Sequence, residues 1–313
     1  MAYPRDMYGY GSNPPQANWP DNAQLALQII LAYEEGSENC ILHGDTSSES
    51  FISDMIGAQP LKGVRNLSME SLYEYGTRVG FWRILKLLTD LNIQTTVLAN
   101  SYALERYPEH AQALVEGGHE IASHGHRWID YQYVGEVAER EHMQQAIEII
   151  ERLVGQRPLG WYTGRVSENT LKLVVEEGGF LYDADTYADD LPYWVKVNGK
   201  DHLRIPYTLE ANDMRFVALQ GFNSGDQYFT YLKDTFDVLY REGEETPRMM
   251  SMGMHLRIVG RPGRFAALQR FLDYVMSHDK VWITPRVDIA RHWIEKHPPS
   301  SSSHDEFHKR RDH

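Results

Sequence analysis

Short apolar runs alternate with longer segments of helical spacing along most of this chain. Leu25–Tyr33 is an almost unbroken apolar run and predicts a buried strand. Ser71–Asp90 carries apolar residues at helical spacing, and Thr95–Ala99 follows as a strand. Ala103–Glu116 reads as a helix stopped by Gly117 and Gly118, with a strand at His119–Ser123. Val137–Val154 is a helix ended by Gly155, and Leu159–Tyr162 is a short strand. Ser167–Glu177 is a helix with Ser167 as its N-cap and Gly178 and Gly179 as its stop. Phe180–Asp183, Arg215–Leu219, Arg248–Met254 and Val281–Thr284 supply later strands. Asp226–Arg241 and Pro262–His278 supply later helices.

This alternation implies a parallel sheet with crossover helices, an α/β architecture of the (β/α) barrel kind. Chemistry in such barrels sits at the C-terminal strand ends. Polar residues fall there in this chain: Glu34 and Glu35, His124 and His126, Tyr162 and Arg165, Asp185 and Asp189, and His255. Each cluster alone is weak, but their recurrence at successive strand ends marks a candidate active site. Before the barrel, residues 1–20 hold Pro4, Pro14, Pro15 and Pro20 and read as an extended arm. Residues 21–297 form the barrel, and 298–313, with Ser300 to Ser303 in a row, read as a disordered tail.

Composition narrows the classes. The formal net charge of −13 argues against non-specific binding to nucleic acid. No apolar run approaches the ~18 residues of a membrane span, and the N-terminus lacks the basic start and apolar stretch of a secretory signal. Cys40 is the only cysteine, which excludes an intrachain disulfide and a thiolate metal cage, and fits a reducing cytoplasm. As a lone cysteine it reads as a small buried hydrophobe rather than a nucleophile.

The motifs resemble a known family. Tyr33-Glu34-Glu35-Gly36, then Gly118-His119-Glu120-Ile121-Ala122-Ser123-His124, then Met254-His255, resemble in order the signatures of the polysaccharide deacetylases. The resemblance spans about Leu25 to Trp293 and implies a distorted (β/α) barrel of about seven strands. In that family an Asp-Asp pair ends the first strand. The first Asp is the base, the second holds a divalent metal with two histidines, and a late histidine is the acid. Here Glu34-Glu35 replaces the pair, His124 matches the first metal histidine, and Trp128 stands where the second belongs. The family's Arg-x-Pro-Tyr motif is not kept near Tyr162-Thr163-Gly164-Arg165. Only Glu35 and His124 match ligand positions, short of the three protein ligands a zinc-type site requires, so no metal and no cofactor are expected.

These departures resemble the metal-independent allantoinase branch. Its likeness extends to Tyr3-Pro4-Arg5-Asp6, Glu74-Tyr75-Gly76-Thr77-Arg78-Val79-Gly80, Ser123-His124-Gly125-His126-Arg127-Trp128, Tyr187 to Trp194, and Gly260-Arg261-Pro262-Gly263-Arg264. The branch implies hydrolysis of the small molecule allantoin to allantoate in purine degradation, by a homo-oligomer, a homotetramer in that branch. The arm, with Tyr8, Tyr10 and Trp19, suits contact with a neighbouring subunit. The catalytic candidates are Glu34 and Glu35 (either one the base), His124 to orient water or polarise the carbonyl, and His255 as the acid. The substrate-binding candidates are His126, Trp128, Tyr162, Arg165, Asp189 and Asn212.

Each has a blander reading. Adjacent glutamates on a strand face opposite sides, so one could be inert. His119 reads as a wall histidine. Asp185, Asp189 and Asp190 could be loop caps, Asn212 and Asp213 stand evenly between a site and a bland role, and Arg261 and Arg264 could be a surface turn as readily as a subunit contact. Two other functions stay open: a metal-dependent N-acetyl sugar deacetylase with an unusual ligand set, and an inactive carbohydrate-binding relative.

Overall fold

Nine strands make one sheet in the computed structural model, which describes residues 5–219 and 221–299. They are β1 (Leu25–Tyr33), β2 (Thr96–Ala99), β3 (Glu120–Ser123), β4 (Gly160–Trp161), β5 (Tyr182–Asp183), β6 (Tyr193–Val197), β7 (Lys200–Arg204), β8 (Arg248–His255) and β9 (Val281–Ile283). The order is β6-β7-β5-β4-β3-β2-β1-β8, with β9 beside the start of β1. All pairings are parallel except the β6–β7 hairpin. A parallel bridge between Asn212 and Gly253 brings the chain after β7 against β8. A side chain at Gly253 would collide with Asn212 and the Tyr207 hydroxyl, so this approach needs glycine. The sheet therefore curls nearly shut, as the deacetylase-type barrel requires, its strand number close to the expected count of about seven.

Helices α1 (Leu67–Tyr75), α2 (Phe81–Asp90), α3 (Ser101–Leu104), α4 (Pro108–Glu116), α5 (Glu136–Val154), α6 (Thr170–Glu177), α7 (Gly225–Glu242), α8 (Pro262–Met276) and α9 (Arg286–Lys296) make the connections. None is long and apolar enough to cross a membrane.

Strand alternation splits the core in two. Leu25, Leu27, Ile29, Leu31 and Tyr33 join Met250, Met252, Met254 and the helices on the outer face. Ala26 and Ile30 join Leu98, Ala122, Tyr162 and Tyr207 on the other. By the same alternation Gln28, Ala32, Ser251 and His255 share the inner side. Arg286, wholly buried at the start of α9, donates to Gln28, Ser251 and the carbonyls of Ile205 and Pro206. It fills the lower barrel, so open chemistry is left to the upper rim.

Four local readings need correction. Ala103–Glu116 is not one helix: it breaks before Pro108, with α3 ending at Leu104 and α4 starting at Pro108. Arg215–Leu219 is not a strand: Asn212 caps Met214 N–H at 2.9 Å and starts a 3-10 turn, Asp213–Phe216. Helix α6 starts at Thr170, because Ser167 spends its hydroxyl on Asn169 N–H and Glu139 in the turn before it. The predicted helix across Ser71–Asp90 begins earlier, at Leu67 under Asn66, and carries a π turn at Gly76–Gly80. Such turns often lie beside functional sites. Here Gly76 lets the helix pass over Glu35, where any side chain would collide with the carboxylate.

Of the arm, residues 1–4 lie outside the described residues, 5–9 are exposed, and the part from Tyr10 to Trp19 reaches its own chain at the lower end. Trp19 donates to the Arg248 carbonyl and packs against Trp282, His292 and Trp293. Its burial is thus explained without a second subunit. Pro298 and Pro299 are described, and the rest of the expected tail lies outside the described residues.

Candidate active site

The register of the parallel strands assembles the upper rim. Tyr33 pairs with Ala99, Ala99 with Ser123, Ser123 with Trp161, and Ala32 with His255. The next residue of each neighbour continues the ladder: Asn100 N–H donates to Tyr33, His124 N–H to Ala99 and Tyr162 N–H to Ser123. Side chains on one face of these strands therefore converge.

At the centre is Glu34, 2% exposed. Its Oε1 lies 3.4 Å from His124 Nε2 and 3.5 Å from His255 Nε2. Its Oε2 lies 2.8 Å from Arg257 Nη1, a charge contact rather than an aligned hydrogen bond. Behind His255, Asp213 Oδ1 meets Nδ1 at 2.6 Å. Asp213 Oδ2 accepts the backbone N–H groups of His255 and Val259 at 2.8 and 2.9 Å. A carboxylate so fixed sets the orientation of the imidazole.

Glu35 points elsewhere. The chain turns after β1, with Ser37 N–H and hydroxyl both donating to the Glu34 carbonyl. Glu35 then sits beneath Gly76 and accepts from Arg257 N–H and Nη1, each at 3.1 Å. The Arg257 guanidinium is thus lodged between both glutamates. Tyr73 covers it at 4.2 Å and Trp128 lies 5.3 Å away.

Burial alone would raise the Glu34 pKa, but the charges of His255 and Arg257, with hydrogen bonds from both histidines, hold it well below the usual carboxylate range. Burial raises Glu35, and Glu34 adds to this against Arg257. Burial alone would lower His255, yet Glu34 and Asp213 lift it to about 10. At neutral pH the centre holds the Glu34 carboxylate, a proton acceptor, beside the His255 imidazolium, a proton donor.

The sequence profile of the polysaccharide deacetylase family matches residues 68–178. A candidate polysaccharide deacetylase of Schizosaccharomyces pombe is 41% identical over 318 residues, 95% of this chain and 99% of its own. The chain belongs to the polysaccharide deacetylase family. Among solved structures, PuuE allantoinase superposes with a TM-score of 0.95 at 61% identity, covering 96% of this chain and 100% of its own. A protein of Pseudomonas aeruginosa PAO1 assigned to the polysaccharide deacetylases superposes with a TM-score of 0.94 at 60% identity, covering 95% and 100%.

The divalent metal of this deacetylase family does not fit these residues. Glu35, the position matching a carboxylate ligand, is turned to Arg257. Trp128 offers no donor pair to a cation, and the guanidinium puts a fixed positive charge between the carboxylates. Among the described residues no group of three or more His, Cys, Asp or Glu side chains is arranged to hold a metal ion.

The structure brings Glu34, His124 and His255 into contact, with Glu35 joined through Arg257. Tyr162 packs edge-on to His124 at 5.0 Å between ring centroids. Arg165 stacks on Trp128 at 4.1 Å. Asn212 lies one step back, bonded to the Tyr207 hydroxyl and shaping the turn that presents Asp213.

Two candidates are not brought in. His126 bonds Ser101 at 2.8 Å and packs against Tyr102 and His142, because Gly125 takes a positive φ of 75° and turns the chain there. Burial and the neighbouring His142 and Arg127 charges lower it to about 4. Asp189 caps its own turn by accepting Leu191 N–H, near the arm. Asp185 ties Thr163 and Gly164 N–H to the rim, and His119 accepts Thr95 N–H in the wall. Cys40 is buried, with its thiol toward Glu70. Arg261 stacks on Tyr75, and Arg264 pairs with Asp54.

Asp213, evenly balanced from the sequence, proves to be the partner of His255, and Arg257 belongs to none of the motifs. Arg257 had a readable signal, since it lies two residues past the strand that ends in His255.

Proposed function

We propose that this protein is an allantoinase, opening the hydantoin ring of allantoin to give allantoate without a metal. The observation that carries the reading is the Arg257 guanidinium lodged between Glu34 and Glu35 beneath Trp128, in a centre with Glu34, His124 and His255 all buried. Such an enclosed centre suits a small flat ring better than a polymer. The likeness to PuuE allantoinase over nearly the whole chain supports the choice of substrate.

Hydrolysis follows from the groups present. Water is set between Glu34 and His124 and attacks a ring carbonyl carbon while Glu34 takes its proton. Such general-base help is worth roughly 10²–10⁴-fold. The carbon–nitrogen bond then breaks and the departing nitrogen takes a proton from the His255 imidazolium. That nitrogen lies between two carbonyls, so it leaves more easily than a simple amine. The products are a carboxyl group and a ureido nitrogen, and one water is consumed. Glu35 positions Arg257, and Trp128 with Arg165 on its face walls the pocket. The cytoplasm is the expected compartment and a homotetramer the expected assembly, in keeping with the branch resemblance.

Purified protein stripped exhaustively with chelator is expected to convert allantoin to allantoate at an undiminished rate, because no third ligand backs Glu35 and His124. Loss of activity that zinc restores would reject the metal-free mechanism. Deacetylation of an N-acetyl sugar oligomer without action on allantoin would reject the substrate.

A further inference from the structure

Among the described residues, Glu34 Oε2, His124 Nδ1 and Arg257 Nη2 are buried in the centre with no hydrogen-bond partner, and of the three Arg257 Nη2 is the one that can only donate. Arg257 is 2% exposed, and its hydrogen-bond donors lie in the guanidinium plane. Nε donates to the Ile52 carbonyl at 3.0 Å, and Nη1 serves both glutamates. Nη2 carries two N–H groups, is buried, and bonds to nothing among the described residues. Tyr73 and Trp128 cover the faces of the guanidinium, and a ring face does not satisfy an in-plane N–H. A buried unpaired donor is costly, and one beside two carboxylates and two histidines calls for a partner such as a bound group. The molecule also holds this geometry against local preference. Ile52, β-branched, sits at φ 47°, a region such residues avoid, and this conformation presents its carbonyl to Nε.

We infer that Arg257 is a catalytic residue whose Nη2 donates to the oxygen of the carbonyl under attack. The inference rests on the allantoinase reading. As water adds to the carbon, the π electron pair of the C=O moves onto oxygen, and Nη2 holds the charge that develops there. As the intermediate collapses, that pair re-forms the C=O and the carbon–nitrogen bond breaks, with the nitrogen protonated by His255. Through Nη1 the same rigid plane holds Glu34, which accepts the water proton. One guanidinium thus sets the base and the electrophilic contact in fixed relation, in the space between the carboxylates.

Arg257→Lys separates this role from simple neutralisation of the glutamates, because it keeps the charge and removes the planar fork. It is expected to lower kcat for allantoin about 10²–10³-fold, the effect of losing one donor to a developing oxyanion, with KM changed far less. Both limbs of the pH–rate profile should stay in place. In Arg257→Ala, added guanidinium should restore part of the lost turnover, while equal ionic strength of ammonium or sodium should not. An Arg257→Lys enzyme within about threefold of wild type would overturn the inference, leaving Arg257 a charge support only. Guanidinium without effect on a folded Arg257→Ala enzyme would count against it equally, so either variant alone decides if the other fails to fold. A wild type inactive on allantoin sinks the functional reading. An active wild type with an active lysine variant sinks only the role of Arg257.

Discussion

Glu34→Gln is expected to cut allantoin turnover by roughly 10²–10⁴-fold, or about 3–5 kcal/mol of transition-state stabilisation. Glu35→Gln should cost less than about tenfold. The difference follows from what each carboxylate touches. Among the described residues Glu34 alone pairs with both histidines. Glutamine there keeps the volume and removes the basicity. Glu35 instead accepts from Arg257 and lies beneath Gly76. Burial already favours its neutral form, which glutamine imitates. The amide oxygen can still accept from Arg257, so the guanidinium keeps its place. Binding of an unreactive hydantoin analogue should change little in either variant, since proton acceptance acts in the transition state. Single-turnover rates and analogue affinities, measured together, check this. Near-normal turnover in both variants would refute a carboxylate base and leave His124 as the leading candidate.

How much of this was readable from the chain depends on the kind of signal. Leu25–Tyr33 was legible to the residue because all nine positions are buried and charge follows at once. The same logic found His124 and His255, each directly after a predicted strand. Asp213 was hidden because its run is not a strand. Asn212 turns the chain inward, and the pairing with His255 is a contact across 42 positions. No local pattern announces such a partner. The β6–β7 hairpin was readable and missed: Val195 to Asp201 alternates around Asn198-Gly199, and both turn residues have positive φ, as a tight hairpin turn prefers. His126 shows the opposite error. A residue just past a strand end looks like a site residue, but a single left-handed glycine sends it to another face. The family resemblance matched Glu34 to the base and Glu35 to a ligand, but the residues alone left the pair undivided, since the contact that separates them is Arg257.

Asp213→Asn should move the alkaline limb of the pH–rate profile to lower pH by at least about one unit. The wild-type limb should reflect loss of the His255 proton, near pH 10. Glu34 and Asp213 sustain that proton against burial, and the substitution removes one of the two charges. Geometry adds to the effect. Two backbone N–H groups, from His255 and Val259, require an acceptor at the Oδ2 position. The asparagine oxygen must stay there, so its NH₂ group faces His255 Nδ1. That arrangement favours a bare Nδ1 and hence neutral imidazole, a far weaker acid. Above the shifted limb, turnover should fall relative to wild type by up to roughly tenfold for each unit the limb has moved, within the 10²–10⁴ attributable to a general acid. The acid limb, set by Glu34, should move much less. Stability carries the same sign. Because the folded pKa of His255 is raised, its contribution is complete below the ordinary imidazole value of about 6.5 and is lost as pH rises through about 10. The Tm gap between wild type and Asp213→Asn should therefore narrow across that window. An alkaline limb unchanged in the variant would show that some other group titrates there, and His255 would lose its place as the acid.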